Sequence, residues 1–362
     1  MKIRLIGALA ALSLAALSVA GCAEQIDTAT PTPVDFKACM VSNNGGFSDG
    51  GASQTSYFGL QQAQAQFGTA ISVVQLRQDS DASRTLWAAK LLVSRGCKLI
   101  FAVQDNYSAL ATLANGNPGV RFVEIDPSVS GGMIQPTPNQ NLNHLVFDSR
   151  VAYLQAGYLA AAKSVTGKVA IIGATGRAAY WSAIWYFRQG IHQYNAATGK
   201  TVEIINAPQA EVQTWNLLPQ NSVPREVQRA TRSALRAGAD VLFPMGVNGL
   251  AVSQVAAENG ALVIGSDSDW ALQSRYSTVK TAILASVTKP FSQAVVAQVA
   301  QGMGLQTATP DPTLSRTDVT NFTATLTEEA GVSFNGVGDD LKRLAENYLA
   351  GKLDVVEPPE TY

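Results

Sequence analysis

The sequence predicts an α/β protein of two lobes, each a parallel sheet flanked by helices. Short apolar strand-like runs alternate with helical stretches along most of the chain, and the alternation starts afresh once, at Lys168. Size points the same way: 362 residues, 46% of them hydrophobic, suffice for two cores, whereas one sheet holding every strand would be unusually wide.

Residues 1–21 precede that pattern and read as an export signal. Lys2 and Arg4 form a positive start, Leu5 to Val19 an apolar run too short for a comfortable bilayer span, and Ala20 and Gly21 a small-residue ending before Cys22. Val19-Ala20-Gly21-Cys22 resembles the bacterial lipobox, in which the cysteine is lipidated and becomes the mature N-terminus. Residues 22–35, with AEQIDTATPTPVD after the cysteine, have little to bury and read as a flexible tether.

The first lobe opens on ACMVSNNGGFSDGGASQTSYFGL, Ala38 to Leu60. A short apolar run leads into a loop with Gly45, Gly46, Gly50 and Gly51, then into a helix-like segment that Ser53 is placed to cap. In open parallel sheets ligands sit beyond the carboxyl ends of the strands, where glycines let the backbone approach closely. The loop is therefore a candidate ligand cradle, although it has neither the G-x-G-x-x-G spacing nor the P-loop lysine of nucleotide cradles.

Further strand-like runs are Ala70–Leu76, Lys98–Val103, Arg121–Asp126 and His144–Phe147, then Lys168–Gly173, Thr201–Asn206, Asp240–Met245 and Ala261–Ser266. Three joints share one design, a helix stopped by Gly96, Gly238 or Gly260 with a strand starting at once. The stretch DSRVAYLQAGYLAAAKSVTGK between the two series reads as a helix packed closely through small residues. Ser222 and Pro224 open another helix. After Trp270 come a strand at Thr281–Ala285, a helix from about Lys289 and a last helix near Leu341–Leu349. The expected lobes are 36–147 with about 271–316, and 148–270 with about 317–362, crossing over near Phe147 and Trp270.

With Cys22 set aside, Cys39 and Cys97 each start a predicted strand in an exported chain, which suits a disulfide. If the first and third strands lie side by side, the two sulfurs are neighbours; otherwise they are two inert buried thiols.

Charge and motifs exclude several functions. The 26 basic and 27 acidic residues give no electrostatic case for nucleic acid. Two histidines, no H-E-x-x-H, no G-x-S-x-G and no C-x-x-C disfavour an enzyme, and no cofactor is implied. The DSD triplet at 267–269 lacks EF-hand spacing, so no metal is expected. What recurs at strand ends is polar and acidic: Asn43 and Asp49; Asp105, Asn106 and Ser108; Gly246 and Asn248; Asp267 and Asp269. Such groups suit hydrogen bonding to a polar small molecule, with nearby aromatics supplying flat apolar area.

These residues carry a resemblance. GGFSDGGASQTSYFGL is similar to the GG-x-DD-x-SFNQ-x-x-W-x-G motif of the basic membrane protein family, and FVEID, VAYLQAGYLAAA, MGVNGL, VIGSDSDW and LASVTK follow in the family's order. That family comprises substrate-binding lipoproteins, the extracytoplasmic receptors of ABC importers, and includes purine nucleoside-binding proteins. The resemblance implies a type I periplasmic-binding-protein fold whose lobes close on a ligand.

By position it implies ligand contacts at Asn43, Asp49, Ser53, Tyr57, Asp267, Asp269 and Lys289. Tyr57 stands where an aromatic can stack on a base, the late aspartates would hold ribose hydroxyls, and Lys289 would donate to ring or sugar acceptors. Asn43 and Ser53 replace the family's aspartate and asparagine, and Ser108 an aspartate, a role into which Asp105 can move. The family's base-stacking phenylalanine aligns with Ala183, leaving Trp181 or Trp185 to substitute. Gly246 and Asn248 complete the ligand set.

The expected protein is thus a lipid-anchored receptor on the outer face of a bacterial cell membrane, handing a nucleoside-like ligand to a permease. The alternatives are a sensory lipoprotein using the same closure, a nucleoside-cleaving enzyme, and a structural or adhesion protein.

Overall fold

The computed structural model describes residues 35–77, 82–104, 108–127, 141–174, 178–205, 217–219, 222–305, 319–328 and 334–356. The expected export signal, Cys22 and most of the expected tether lie outside these residues, as does Asp105.

The first sheet comprises β1 (Lys37–Val41), β2 (Ala70–Val74), β3 (Leu99–Val103), β4 (Arg121–Ile125), β5 (Leu142–Asp148) and β11 (Val319–Thr323). Its order is β11-β5-β4-β3-β1-β2, parallel throughout. The second comprises β6 (Lys168–Gly173), β7 (Glu203–Ile205), β8 (Val241–Met245), β9 (Leu262–Asp267), β10 (Ile283–Thr288) and β12 (Thr325–Glu328). Its order is β12-β10-β9-β8-β6-β7, with only β12 antiparallel. Both sheets reverse winding direction beside their first strand, at β1/β3 and at β6/β8. In doubly wound folds that switch opens a crevice outside the strands' carboxyl ends.

Two helices, α1 (Ala52–Phe67) and α8 (Phe291–Gly302), cover one face of the first sheet, where Leu60, Phe291, Val295 and Val299 pack on Met40, Phe101 and Val123. They lie so close that a Cβ on Gly59 would come within 2.5 Å of the Ser292 carbonyl oxygen. α2 (Ala82–Ser94) contributes Ala88, Ala89 and Leu92 to the opposite face, and α3 (Ser108–Asn115) contributes Leu110 and Leu113. Cys39 and Cys97 are bonded within that core, with Cα atoms 6.0 Å apart, because β1 and β3 are neighbours.

In the second lobe α4 (Arg150–Lys163) and α5 (Ala178–Thr198) cross backbone to backbone at Gly157 and Gly190. A Cβ on Gly157 would lie 1.8 Å from the Phe187 carbonyl oxygen, which is the close packing that the small residues of α4 predict. α6 (Pro224–Arg236) and α7 (Gly249–Glu258) cover the other face, and α9 (Gly338–Leu349) seats Leu341 and Leu344 beside α4. Gly96, Gly238 and Gly260 take φ of +77°, +99° and +66°, the left-handed geometry of a helix stop.

The late elements are partitioned differently from the expected boundaries. Residues 274–282 form a 3₁₀ segment and β10 begins at Ile283, pairing with β9 in the second sheet rather than joining the first lobe. The chain passes between sheets at Ser149, at Lys289–Pro290 and at Ala324. Trp270 is no crossover. It is buried in the second lobe, stacked 4.7 Å from Tyr276, with its ring over Gly265 and Gly249.

Candidate functional site

Polar groups gather where the carboxyl ends of the two sheets meet. The first lobe's share begins with Asn43, two residues beyond β1. Its Nδ2 donates to Asp49 Oδ2 and to Gln104 Oε1, each at 3.1 Å, and its Oδ1 accepts from the Gly45 N–H at 2.8 Å. Gln104, one residue past β3, donates in turn from Nε2 to Asp126 Oδ2 at 3.0 Å. Asp126, one residue past β4, also receives Lys289 Nζ at 2.8 Å. One side-chain chain thus runs along the strand ends as Asp49–Asn43–Gln104–Asp126–Lys289, in which Asn43 and Lys289 donate, Asp49 and Asp126 accept, and Gln104 does both.

Lys289 is 8% exposed and lies 3.2 Å from Asp267 Oδ1 as well. Burial pushes its pKa down, but the Asp126 and Asp267 carboxylates more than reverse this and hold it well above the ordinary lysine value. The buried Tyr153 hydroxyl senses the same groups, with Tyr180 beyond, and burial raises its pKa. A first-turn lysine can stay in water; this one is locked between carboxylates from both sheets.

Backbone geometry marks the same place. The non-glycine residues with left-handed φ among the described residues are Gln104 (51°), Asp126 (51°) and Asp267 (69°), each at a strand's carboxyl end. Such conformations cost on the order of 1 kcal/mol each and cluster at sites where side-chain aim matters.

Several expected contacts have local duties instead. Asp49, not Ser53, caps α1: its carboxylate accepts from the N–H groups of Gly51, Ser53 and Gln54 at 2.8–3.1 Å. Burial pushes its pKa up, against these four hydrogen bonds with Asn43 included. Ser53 lies inside the helix and is buried, and its Oγ accepts from the Asn43 N–H at 2.8 Å. Asn248 is the exposed N-cap of α7, accepting from the Ala251 N–H at 3.0 Å. Asp269 accepts from the Leu272 N–H at 3.3 Å and turns the loop after β9.

The aromatics divide in the same manner. Tyr57 is half-buried, its ring centroid 4.8 Å from that of Phe47 in the glycine-rich loop. Gly246 has φ of +72° and no room for a side chain, because a Cβ would lie 2.4 Å from the Tyr180 ring. Trp181 is half-buried one residue further along α5, while Ala183 and Tyr186 face the second core. Position 183 is therefore not a cleft position. Trp185 is tied to the C-terminal segment, its Nε1 donating to the Val356 carbonyl. Ser108 starts α3, and its side chain lies outside the described residues.

Gln104, Asp126 and Tyr153 belong to the cluster but not to the expected set. FVEID already displays Asp126, and LIFAVQ displays Gln104, each the first polar residue after a buried strand. The strand-end criterion that selected Asn43 selects both when applied evenly.

The two histidines take no part. His144 Nδ1 lies 2.9 Å from Glu124 Oε2, both side chains fully buried on adjacent strands of the first sheet. Among the described residues no cluster of metal-ligating side chains occurs, and no helix is long and apolar enough to cross a membrane.

No curated protein matches the sequence. Solved structures that share the fold include an ABC transporter solute-binding protein from Aeropyrum pernix K1, with 15% identity, TM-score 0.67 and coverage of 89% of this chain and 94% of that one. Another, from Conexibacter woesei DSM 14684, has 15% identity, TM-score 0.61 and coverage of 89% and 99%. A transcriptional activator of the comK gene from Bacillus halodurans shares the fold at 17% identity, TM-score 0.61 and coverage of 87% and 97%. In sequence, a family model described as Bmp, ABC transporter substrate-binding protein PnrA-like, matches residues 36–308, most of the chain and all of the strand-end cluster. The chain therefore belongs to the Bmp family of PnrA-like ABC transporter substrate-binding proteins.

Proposed function

We propose that this substrate-binding protein is a lipid-anchored extracytoplasmic receptor that takes a purine nucleoside between its lobes and presents it to an importer permease. The observation that carries the proposal is the convergence of Lys289, Asp126 and Asp267 from both sheets on one point, at the carboxyl ends where doubly wound folds bind ligands. Asp267 supplies a carboxylate able to accept two hydrogen bonds from a vicinal diol, and Lys289 supplies an ammonium donor. Phe47 and Tyr57 offer paired aromatic area for a base. Asn43, Gln104, Asp126 and Lys289 also bond one another, so ligand groups exchange with bonds already made. That favours a ligand rich in both donors and acceptors.

The three chain passages at Ser149, Lys289–Pro290 and Ala324 are the hinge about which the lobes close. Residues 1–21 direct export and Cys22 carries the lipid.

Thermal unfolding against nucleosides, bases, sugars and amino acids tests the ligand class. A ligand at about a hundred times its Kd stabilises by about 2.7 kcal/mol, a readable rise in Tm. A rise with purine nucleosides alone is expected; a rise confined to another class replaces the nucleoside, and no rise with any compound removes this ligand class. Detergent partitioning of the wild type and Cys22→Ser tests the anchor, which is refuted if both stay in the aqueous phase.

A further inference from the structure

A second seam joins the lobes away from Lys289. The glycine-rich loop after β1 meets the segment after β9, and the bonds between them run from second-lobe side chains to first-lobe backbone carbonyls. Ser268 Oγ donates to the Gly50 carbonyl at 2.8 Å, and Gln273 Nε2 donates to the same oxygen at 2.9 Å. Gln273 Nε2 also donates to Ser268 Oγ, which ties the two donors together. Arg275 Nη1 donates to the Ser48 carbonyl at 2.9 Å.

The loop is shaped to receive them. Gly50 has φ of +71°, and a Cβ there would lie 2.6 Å from Arg275 Nη1, so the guanidinium occupies the space that a side chain would need. Asp49 fixes the same turn from within through its three backbone N–H bonds. Ser268 is buried, so its hydroxyl has exchanged water for the Gly50 carbonyl. The donors flank Asp269 and Trp270 rather than belonging to the strand-end cluster.

We propose that Ser268, Gln273 and Arg275 are positioning residues that latch the glycine-rich loop to the second lobe and set the fraction of molecules with a closed cleft. The role rests on the capture of a ligand between the lobes, but the latch is measurable with no ligand present. Apparent affinity scales with the competent fraction, so residues that touch no ligand tune binding through it. Because the acceptors are backbone carbonyls, the first lobe contributes its shape rather than its side chains, and Gly50 is the position where a substitution blocks the fit.

The test is the interlobe distance in the unliganded chain. Spin labels at Trp87→Cys on α2 and Val165→Cys before β6, both exposed, are placed in a full chain carrying Cys22→Ser. Dipolar spectroscopy of this parent is expected to give one narrow distance. Adding Ser268→Ala, Gln273→Ala and Arg275→Ala should bring in a second, distinct distance, while Ser268→Thr, which keeps the hydroxyl, should reproduce the parent. A triple variant that folds cooperatively and keeps the parent distribution overturns the latch. If the triple variant does not fold, Arg275→Ala alone decides by the same criterion. No ligand enters the measurement, so its result stands even where the nucleoside panel produces no response.

Discussion

Lys289 Nζ lies 2.8 Å from Asp126 Oδ2, so an ammonium following the fifth strand of the second sheet is neutralised by a carboxylate from the fourth strand of the first. With Asp267 at 3.2 Å it forms a three-membered ion cluster at a passage between the lobes. Removing one partner from a cluster this buried leaves charge without compensation.

Lys289→Met should therefore destabilise by about 3–5 kcal/mol at neutral pH, read by urea unfolding. The pH dependence should also change in the alkaline range. In the wild type, the raised lysine pKa contributes stability that is complete below about 10.4 and fades only as pH climbs toward the folded value. The variant lacks this contribution, so its stability should fall less than that of the wild type as pH rises above about 10.4. Equal losses of stability in the two proteins above that pH would show that Lys289 does not carry the alkaline dependence.

At Gln104 the usual order of alanine over glycine should reverse. Both Gln104→Ala and Gln104→Gly lose the bonds to Asn43 and Asp126, but only glycine relieves the left-handed φ of 51°. The glycine variant should be more stable by about 1 kcal/mol, measured as a difference in urea midpoints.

Gly157→Ala should cost about 3 kcal/mol or prevent folding of the second lobe, since its Cβ has no space beside the Phe187 carbonyl. Gly119→Ala, where no atom lies within 4 Å of the added carbon, should change the Tm little.

Reducing or deleting the Cys39–Cys97 disulfide, which spans 58 positions, should lower stability by about 2–4 kcal/mol. Unfolding with and without reductant measures this, and equal midpoints would show that β1 and β3 are held by packing alone.

The fold was legible because its signals are local. Strand-like runs, glycine stops and the second start at Lys168 are read within about ten residues, and each corresponds to a backbone requirement that no distant contact alters. The glycine-rich loop was legible as a place of interest for the same reason, and Lys289 through its family motif.

Other features depend on elements far apart in the chain. That Asp49 caps α1 while Ser53 braces Asn43 depends on how the loop turns, and the residue types alone fit either arrangement. That β10 joins the second sheet while α8, two residues later, packs on the first follows from strand pairing and from the fit of Phe291 into the core around Phe147, their rings 4.6 Å apart. By itself the sequence determined two lobes of βα alternation and their helix stops, because periodicity and turn chemistry act over single elements. Only the tertiary structure decided which polar residues meet, because hydrogen bonds such as that from Lys289 to Asp126 join groups 163 positions apart that only the packing of both sheets brings together.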